Sequence, residues 1–279
     1  MSCAVVLLTI GGVSLAAPAA EEAESGGPPP DARLVSFPSG ELTLRGYLYK
    51  PQGPGPFPAI VWNHGSEPKP GWGPHLAKFY TSHGYVFFMP HRHGQGRSPG
   101  DYIMDLESRL KESGGRARYM QGSVELQELY NLDVVAAVEW LKKQPFIDPK
   151  RMVMGGVSFG GIQTVLSAEK GLGLRGFIPF APGAMSWAGN PLLGERLLSA
   201  VQKSTVPIFL IQAKNDYNLA PSEVLGAALR KKGPPNASKV YPQFGDGPKD
   251  GHGRFACSEE GTAIWGPDVL AFLNTVLAQ

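Results

Sequence analysis

Cysteine is nearly absent from this chain, which carries Cys3 and Cys257 alone among its 279 residues. Internal disulfides therefore cannot be what holds the fold together. Neither sign of charge is in excess, since 26 basic residues face 24 acidic ones. No basic run interleaved with aromatics occurs, and this removes nucleic acid as a partner and leaves small or neutral molecules. There is no internal repeat. Long apolar runs are missing except at the N-terminus, where Ala4-Val5-Val6-Leu7-Leu8-Thr9-Ile10 continues through Val13-Ser14-Leu15 and gives way to small residues from Ala16 to Ala20. Residues 1–20 read as a signal peptide with an A-x-A type cleavage site at Ala17-Pro18-Ala19, although the n-region lacks lysine and arginine. The competing reading is an uncleaved anchor, for which the stretch is short. Cleavage would make the chain secreted or periplasmic, with no stable membrane association, and would leave Cys257 as its one thiol, expected to be buried.

Residues 21–31 are acidic and then rich in glycine and proline, the composition of a disordered linker. From residue 32 to 279 the chain has the length and pattern of a single α/β domain. Leu34-Val35-Ser36-Phe37 and Leu42 to Tyr49 flank the turn signal Pro38-Ser39-Gly40 and predict an antiparallel pair. Further strands are expected at Ala59 to Trp62, Tyr85 to Met89, Met152 to Met154, Phe177 to Phe180, Val206 to Ile211 and Lys239 to Tyr241. Leu126, Leu129, Leu132, Val135, Val138 and Leu141 predict a long amphipathic helix, and Gly266-Pro267 opens a final one. Such alternation implies a mostly parallel twisted sheet with helices on both faces. Tyr102 to Met120 reads as a small cap-like insert, with Met104, Leu106 and Leu110 lining a pocket or packing down.

Two copies of G-x-S-x-G are present, at Gly156-Val157-Ser158-Phe159-Gly160 and Gly96-Arg97-Ser98-Pro99-Gly100. Composition alone would produce the pattern about 0.3 times, so context must choose between them. In a nucleophile elbow the serine sits in a strained strand-to-helix turn, and the next residue donates its N–H to an oxyanion hole. Pro99 has no N–H to give. Ser158 follows an apolar strand and precedes a helix-like run, so Ser158 is expected to be the nucleophile and Ser98 a loop serine.

Ligands of open α/β sheets sit beyond the carboxyl ends of the strands. Asp216 and His252 each follow a later strand, and the order Ser, Asp, His is that of an α/β-hydrolase. His252 would take the Ser158 proton and return it to the leaving group, while Asp216 orients the imidazole. Asp246 and Asp250 are rivals for that carboxylate. Phe159 N–H is one expected oxyanion donor; the other is Ser66 N–H, with Gly65 as an alternative. His64 is read as a hydrogen-bonder rather than a second base. His64, His91 and His93 lack a recognised metal spacing, and neither metal nor cofactor is expected.

These residues resemble the dienelactone hydrolase-like branch of the α/β-hydrolases, close also to prolyl-oligopeptidase-type catalytic domains. The resemblance runs from Leu34 to the C-terminus and rests on Pro54-Gly55-Pro56-Phe57-Pro58-Ala59-Ile60-Val61 leading to Asn63-His64-Gly65, on Asp148-Pro149-Lys150-Arg151, and on Asp216 and His252. It implies the α/β-hydrolase fold and a serine hydrolase acting on small carboxylic esters or lactones. Members named for dienelactones usually carry cysteine where this chain has Ser158, which shifts weight to ordinary esters. The loop from Pro90 to Ser98 resembles the family's P-D-x-R-G-x-G-x-S turn, and Arg92 and Arg254 would then flank the pocket and hold a substrate carboxylate, with His64 nearby. Alternatives are a small peptidase or acyltransferase on the same triad, and a non-catalytic binding protein on a hydrolase scaffold. The sequence does not decide the oligomeric state.

Overall fold

The computed structural model describes residues 27–278, so the expected signal peptide and the first part of the expected linker lie outside the described residues. Eight strands form one sheet: β1 (Arg33–Ser39), β2 (Leu42–Tyr49), β3 (Phe57–Asn63), β4 (Val86–His91), β5 (Ile147–Val157), β6 (Gly176–Phe180), β7 (Phe209–Ala213) and β8 (Ala237–Tyr241). Their order is β1-β2-β4-β3-β5-β6-β7-β8. β1, β2 and β4 pair antiparallel, and every pairing from β4 through β8 is parallel.

Strand residues alternate between two cores, as the period of two in an extended chain requires. Ala59, Val61, Met152 and Met154 face one side of the sheet, where α2 (Ile103–Lys142), α3 (Phe159–Ser167), α4 (Pro191–Lys203) and α5 (Ala220–Lys232) cover them. Ile60, Trp62, Val153 and Val157 face the other, against α1 (Pro74–Ser82) and α7 (Glu259–Leu277); a short α6 (Phe255–Cys257) lies beside them. Each fully buried aliphatic or aromatic side chain contributes roughly 1.5–3 kcal/mol, so the two layers supply the main driving force. The helix after β3 packs on one face and the helix after β5 on the other. Between those neighbouring strands the chain therefore leaves a crevice at the carboxyl edge, the place where α/β sheets bind ligands.

Two helices differ from the sequence expectation. Leu129 and Leu132 are exposed, at 48% and 57%, although their spacing suggested a buried row. Val138 and Leu141 of that row do face inward, joined by Gln127, Tyr130, Asn131, Val134 and Ala137. A spacing of three residues falls short of a full α-helical turn by about 60°, so a row of leucines at that period drifts around the helix and leaves the buried face. The last helix begins at Glu259 rather than at Gly266-Pro267. The Ser258 hydroxyl caps it by accepting the Gly261 N–H at 3.1 Å, and Glu259 and Glu260 favour its positive end. Pro267 lies inside this helix, where buried Trp265 and Val269 hold the flanking turns in place.

The stretch expected as a cap, Tyr102 to Met120, forms the first arm and the bend of a helical hairpin and enters its second arm. α2 breaks at Gly115, whose φ of 65° is open to glycine, into arms 103–114 and 116–142. Ser123 Oγ donates to Glu107 at 2.7 Å and Tyr130 Oη to the Asp101 carbonyl at 2.6 Å, so the arms run antiparallel. Met104 and Leu106 pack into a small cluster with Ile103, Tyr130 and Phe159, which sets the first arm beside the residue following Ser158. Leu110 packs against Gly122 in the second arm.

Candidate active site

β5 delivers Ser158 at the crevice in a conformation that non-glycine residues seldom adopt, with φ 59° and ψ −115°. Among the described residues, Ser158 and Ala181 are the two non-glycine positions with positive φ. Strain of this kind costs of order 1–3 kcal/mol and persists where its surroundings enforce it. Here Ser158 N–H donates to the Phe180 carbonyl at 3.0 Å and the Ser158 carbonyl accepts from Ile162 N–H at 3.0 Å. From Met152 to Ala168 every residue is buried except Ser158. The glycines on either side are steric necessities. A Cβ on Gly156 would come within 2.7 Å of the Asn63 carbonyl oxygen, and one on Gly160 would run into the carbonyls of Asn63 and His64. The backbone leaving β3 thus lies directly on the elbow. Asn63 Nδ2 fastens it there through Thr164 Oγ1 at 3.1 Å.

His252 sits on a π-helical turn, Asp250–Arg254, beyond β8. Its Nδ1 is 2.8 Å from Asp216 Oδ1. The Asp216 carboxylate is buried and also accepts from Tyr217 N–H at 2.6 Å on Oδ1 and from Gln212 Nε2 at 3.0 Å on Oδ2. With Asp216 accepting at Nδ1, the remaining imidazole nitrogen is the basic one. That atom, Nε2, is buried and has no hydrogen-bond partner among the described residues. Asp250 instead accepts from Asp246 N–H and pairs with Arg254, which together hold its carboxyl below the usual range.

His64, Gly65 and Ser66 follow β3 and form the loop above the elbow. Arg92, buried to 1% exposure, reaches this loop from β4. Its Nη2 donates to the His64 carbonyl at 2.9 Å and the Gly65 carbonyl at 2.6 Å, and its Nε donates to Gln95 at 3.0 Å. The guanidinium also stacks over Phe159, 4.5 Å from the ring centre. A trans peptide sets C=O and N–H in opposite directions. Arg92, by drawing the Gly65 carbonyl toward itself, therefore aims the Ser66 N–H away from it. Tyr102 Oη holds the next carbonyl, that of Ser66, at 2.5 Å. Phe159 is the first residue of α3, and the N–H at that position has no acceptor within its own helix.

The structure does not bring Arg92 and Arg254 together as a carboxylate clamp. Arg92 is committed to the loop, and Arg254 is exposed and paired to Asp250 at 3.0 Å. His64 is buried beside Arg92, its Nδ1 3.0 Å from Nη2 and 2.9 Å from the Gly65 carbonyl, and burial with the nearby charge holds the imidazole well below its ordinary range. Ser98 donates to the His91 carbonyl at 2.7 Å and accepts Arg45 N–H at 2.9 Å, so it ties the β4 exit loop to β2. His93 Nδ1 is taken by Asp133 at 2.5 Å. Among the described residues no group of three or more His, Cys, Asp or Glu side chains is placed to hold a metal ion. Cys257 is a free thiol, pushed up to about 12 by burial.

Several residues that shape the site carried no signal in the sequence. Gln212 is fixed on both sides of its amide, donating to Asp216 while its oxygen accepts from Ser222 Oγ at 2.7 Å. Asn215 clips the loop after β7 to the loop before His252, donating to the Phe244 and Gly247 carbonyls at 2.8 Å. Gly251 makes that contact feasible, because a Cβ there would meet Asn215 Oδ1 at 2.6 Å.

Residues 44–247 match the model of the dienelactone hydrolase family, a stretch that contains Ser158 and Asp216 and ends before His252. The chain is similar to the polyketide transferase GrgF of Penicillium sp., 25% identical over 214 residues that span 72% of this chain and 65% of that protein, just under two thirds of its length. Among solved structures, acylaminoacyl peptidase from Pyrococcus horikoshii superposes with a TM-score of 0.66 at 18% identity, over 89% of this chain and 42% of that one. GrgF itself superposes at 0.62 and 18% identity, over 89% and 99% of the two chains. Est1E from Butyrivibrio proteoclasticus, solved with ferulic acid bound, does so at 0.61 and 16% identity, over 88% and 100%. At these identities the structural likenesses establish the α/β-hydrolase fold.

Proposed function

The chain belongs to the dienelactone hydrolase family, and from that premise we propose that it hydrolyses carboxylic esters or lactones through an acyl-enzyme on Ser158. The observation that carries this reading is the imidazole of His252, held by Asp216 at one nitrogen and buried without a partner at the other, beyond the same sheet edge as the strained serine. Substrate binding would form the hydrogen bond from Ser158 Oγ to His252 Nε2; catalytic hydrogen bonds are often long or poorly aligned in unliganded enzymes and tighten in the Michaelis complex.

In this reading Ser158 Oγ attacks the ester carbonyl carbon as its proton passes to His252 Nε2. The carbonyl oxygen becomes an oxyanion, met by the N–H groups of Phe159 and Ser66. Collapse of the tetrahedral species breaks the bond to the alcohol, which leaves with the proton from His252. Water then gives a proton to His252 and attacks the acyl carbon, and the acid departs as Ser158 regains its hydrogen. Asp216 stabilises the imidazolium formed in each half.

A serine-directed fluorophosphonate should label the protein once, on the peptide containing Ser158. Label on any other residue, or none, would refute the assignment. A panel of chromogenic esters of graded acyl length, run with lactones, should then show turnover.

Arg92 acts on this chemistry from beneath the loop. Arg92→Met should lower kcat by roughly tenfold to a hundredfold, short of the roughly hundredfold to thousandfold that follows outright loss of an oxyanion donor, because the N–H is misaimed rather than removed. KM should change little, since the ground-state carbonyl needs that N–H less than the oxyanion does. A variant whose kcat holds while KM rises would place Arg92 in substrate binding instead.

A second reading, acyl transfer to an alcohol or amine in place of water, draws on the name of the Penicillium relative, a polyketide transferase. Both routes share the acyl-enzyme. Product analysis with and without added acceptors separates them.

A further inference from the structure

In an acyl-enzyme mechanism the departing alcohol oxygen takes its proton from His252 Nε2, so it must come within hydrogen-bond reach of that atom, about 2.6–3.2 Å. Whatever borders the imidazole therefore borders the alcohol. The acid part of the ester is held elsewhere, by its bond to Ser158 and by the oxyanion donors.

Tyr217 borders that imidazole. The two rings meet edge to face, with centres 5.3 Å apart and planes at 77°. His252 is buried, yet Tyr217 is 46% exposed, so part of the phenol ring packs on the imidazole and the rest faces solvent. Exposed apolar side chains are ordinary on the outer faces of helices, as Leu129 and Leu132 are on α2 and Ile264 is on α7. Tyr217 differs in its place. It stands in the loop beyond β7, at the sheet edge where α/β folds bind ligands.

Hydrogen bonds hold the backbone on both sides of this tyrosine. Tyr217 N–H donates to Asp216 Oδ1 at 2.6 Å, and the next carbonyl, that of Asn218, accepts from buried Gln212 Nε2 at 2.6 Å. Asn218 Oδ1 accepts Ala220 N–H at 2.9 Å, and Asn215 on the other side is tied to the Phe244 and Gly247 carbonyls. Asp216 and Gln212 thus fix the imidazole and the tyrosine together. A ligand that meets the ring has little backbone left to order.

We propose that Tyr217 determines specificity on the alcohol side of the ester, favouring alcohols that carry an aromatic ring over small ones. The inference rests on the acyl-enzyme reading of Ser158 and His252. Burial of apolar area and edge-to-face ring contact both favour such a group, and a methyl alcohol gains neither. The contact exists only while the alcohol is attached. A tyrosine that merely propped His252 would instead serve every ester alike, because the imidazole works on all of them.

Benzyl and methyl esters of one acid provide the test, since their alcohols are similarly acidic and differ in the ring. The acid is the one turned over fastest in the chromogenic panel. The parent should favour the benzyl ester in kcat/KM by at least about fivefold, the size of one aromatic contact. Tyr217→Ala should lower that ratio by at least about fivefold, whereas Tyr217→Phe, which keeps the ring, should retain it. Repeating the ratio with a second acid should agree within about twofold, since the acyl group lies away from the ring. The inference is overturned if the parent shows no benzyl preference, if Tyr217→Ala lowers both esters equally, if Tyr217→Phe loses the preference as alanine does, or if the ratio follows the acid. Fluorophosphonate labelling of Ser158 separates the two failures. A parent that labels but lacks the preference overturns the role of Tyr217 alone, and one that neither labels nor turns over any ester overturns the acyl-enzyme reading and this inference with it.

Discussion

Ser158→Ala is expected to lower ester turnover about a million-fold, with the fold intact. Loss on that scale follows from the proposed mechanism, in which the hydroxyl oxygen forms the covalent bond to the acyl carbon. Alanine should also settle more easily than larger residues into the positive-φ site, and Ser158 is not a hydrogen-bonding hub whose removal opens the core. Ser98→Ala is the matched control. It deletes a loop tie between β2 and β4 and should cost about 1 kcal/mol of stability while leaving kcat near that of the parent. Steady-state hydrolysis of one chromogenic ester and a melting curve for each variant check both outcomes. An active Ser158→Ala protein would remove the serine mechanism.

Asp216→Asn should reduce kcat by about ten-thousand-fold, more than a lost hydrogen bond alone would give. Both carboxylate oxygens face donors: Tyr217 N–H and His252 Nδ1 on one, Gln212 Nε2 on the other. An amide has one oxygen, so either orientation sets its NH₂ against a donor. When the NH₂ faces His252, Nδ1 must accept, the ring proton moves to Nε2, and the base toward Ser158 is gone. Gln212 draws the amide oxygen in that direction, and its own orientation is fixed by Ser222. Asp216→Ala should fall by a comparable amount. If Asp216→Asn instead kept more than about a tenth of parental kcat, the imidazole would be taking its orientation from elsewhere.

The sequence made the sheet legible because a buried strand in a doubly wound fold is a short apolar run with a sharp stop. Val153, Ile178 and Ile211 each announce such a run, and the residues beyond them lead to Ser158, Ala181 and Asp216. Helix faces were less legible. The α2 face that packs inward includes Gln127 and Asn131, which bond to Gln163 and Ser167 on α3, so around those residues hydrophobicity misses the buried side that Val134, Val138 and Leu141 mark further along. Arg92 shows a different limit. A sequence displays its charge, which suggests an anionic ligand, whereas burial turns the same guanidinium into a brace for two carbonyls. Which partner a cation takes depends on tertiary placement that neither spacing nor composition records.

The close seating of the β3 exit loop on Gly156 and Gly160 has a consequence for how such a protein can change over generations. The groups that would meet an oxyanion belong to the main chain at Ser66 and Phe159, so the side chain at position 66 is free to vary without deleting a donor. Selectivity can drift there while the chemistry is inherited unchanged. Gly160 has no such latitude: any side chain would lift the loop from the elbow and uncouple both donors at once. Tolerance to mutation should therefore be sharply uneven over a few ångströms, permissive where side chains meet substrate and closed where backbone meets backbone.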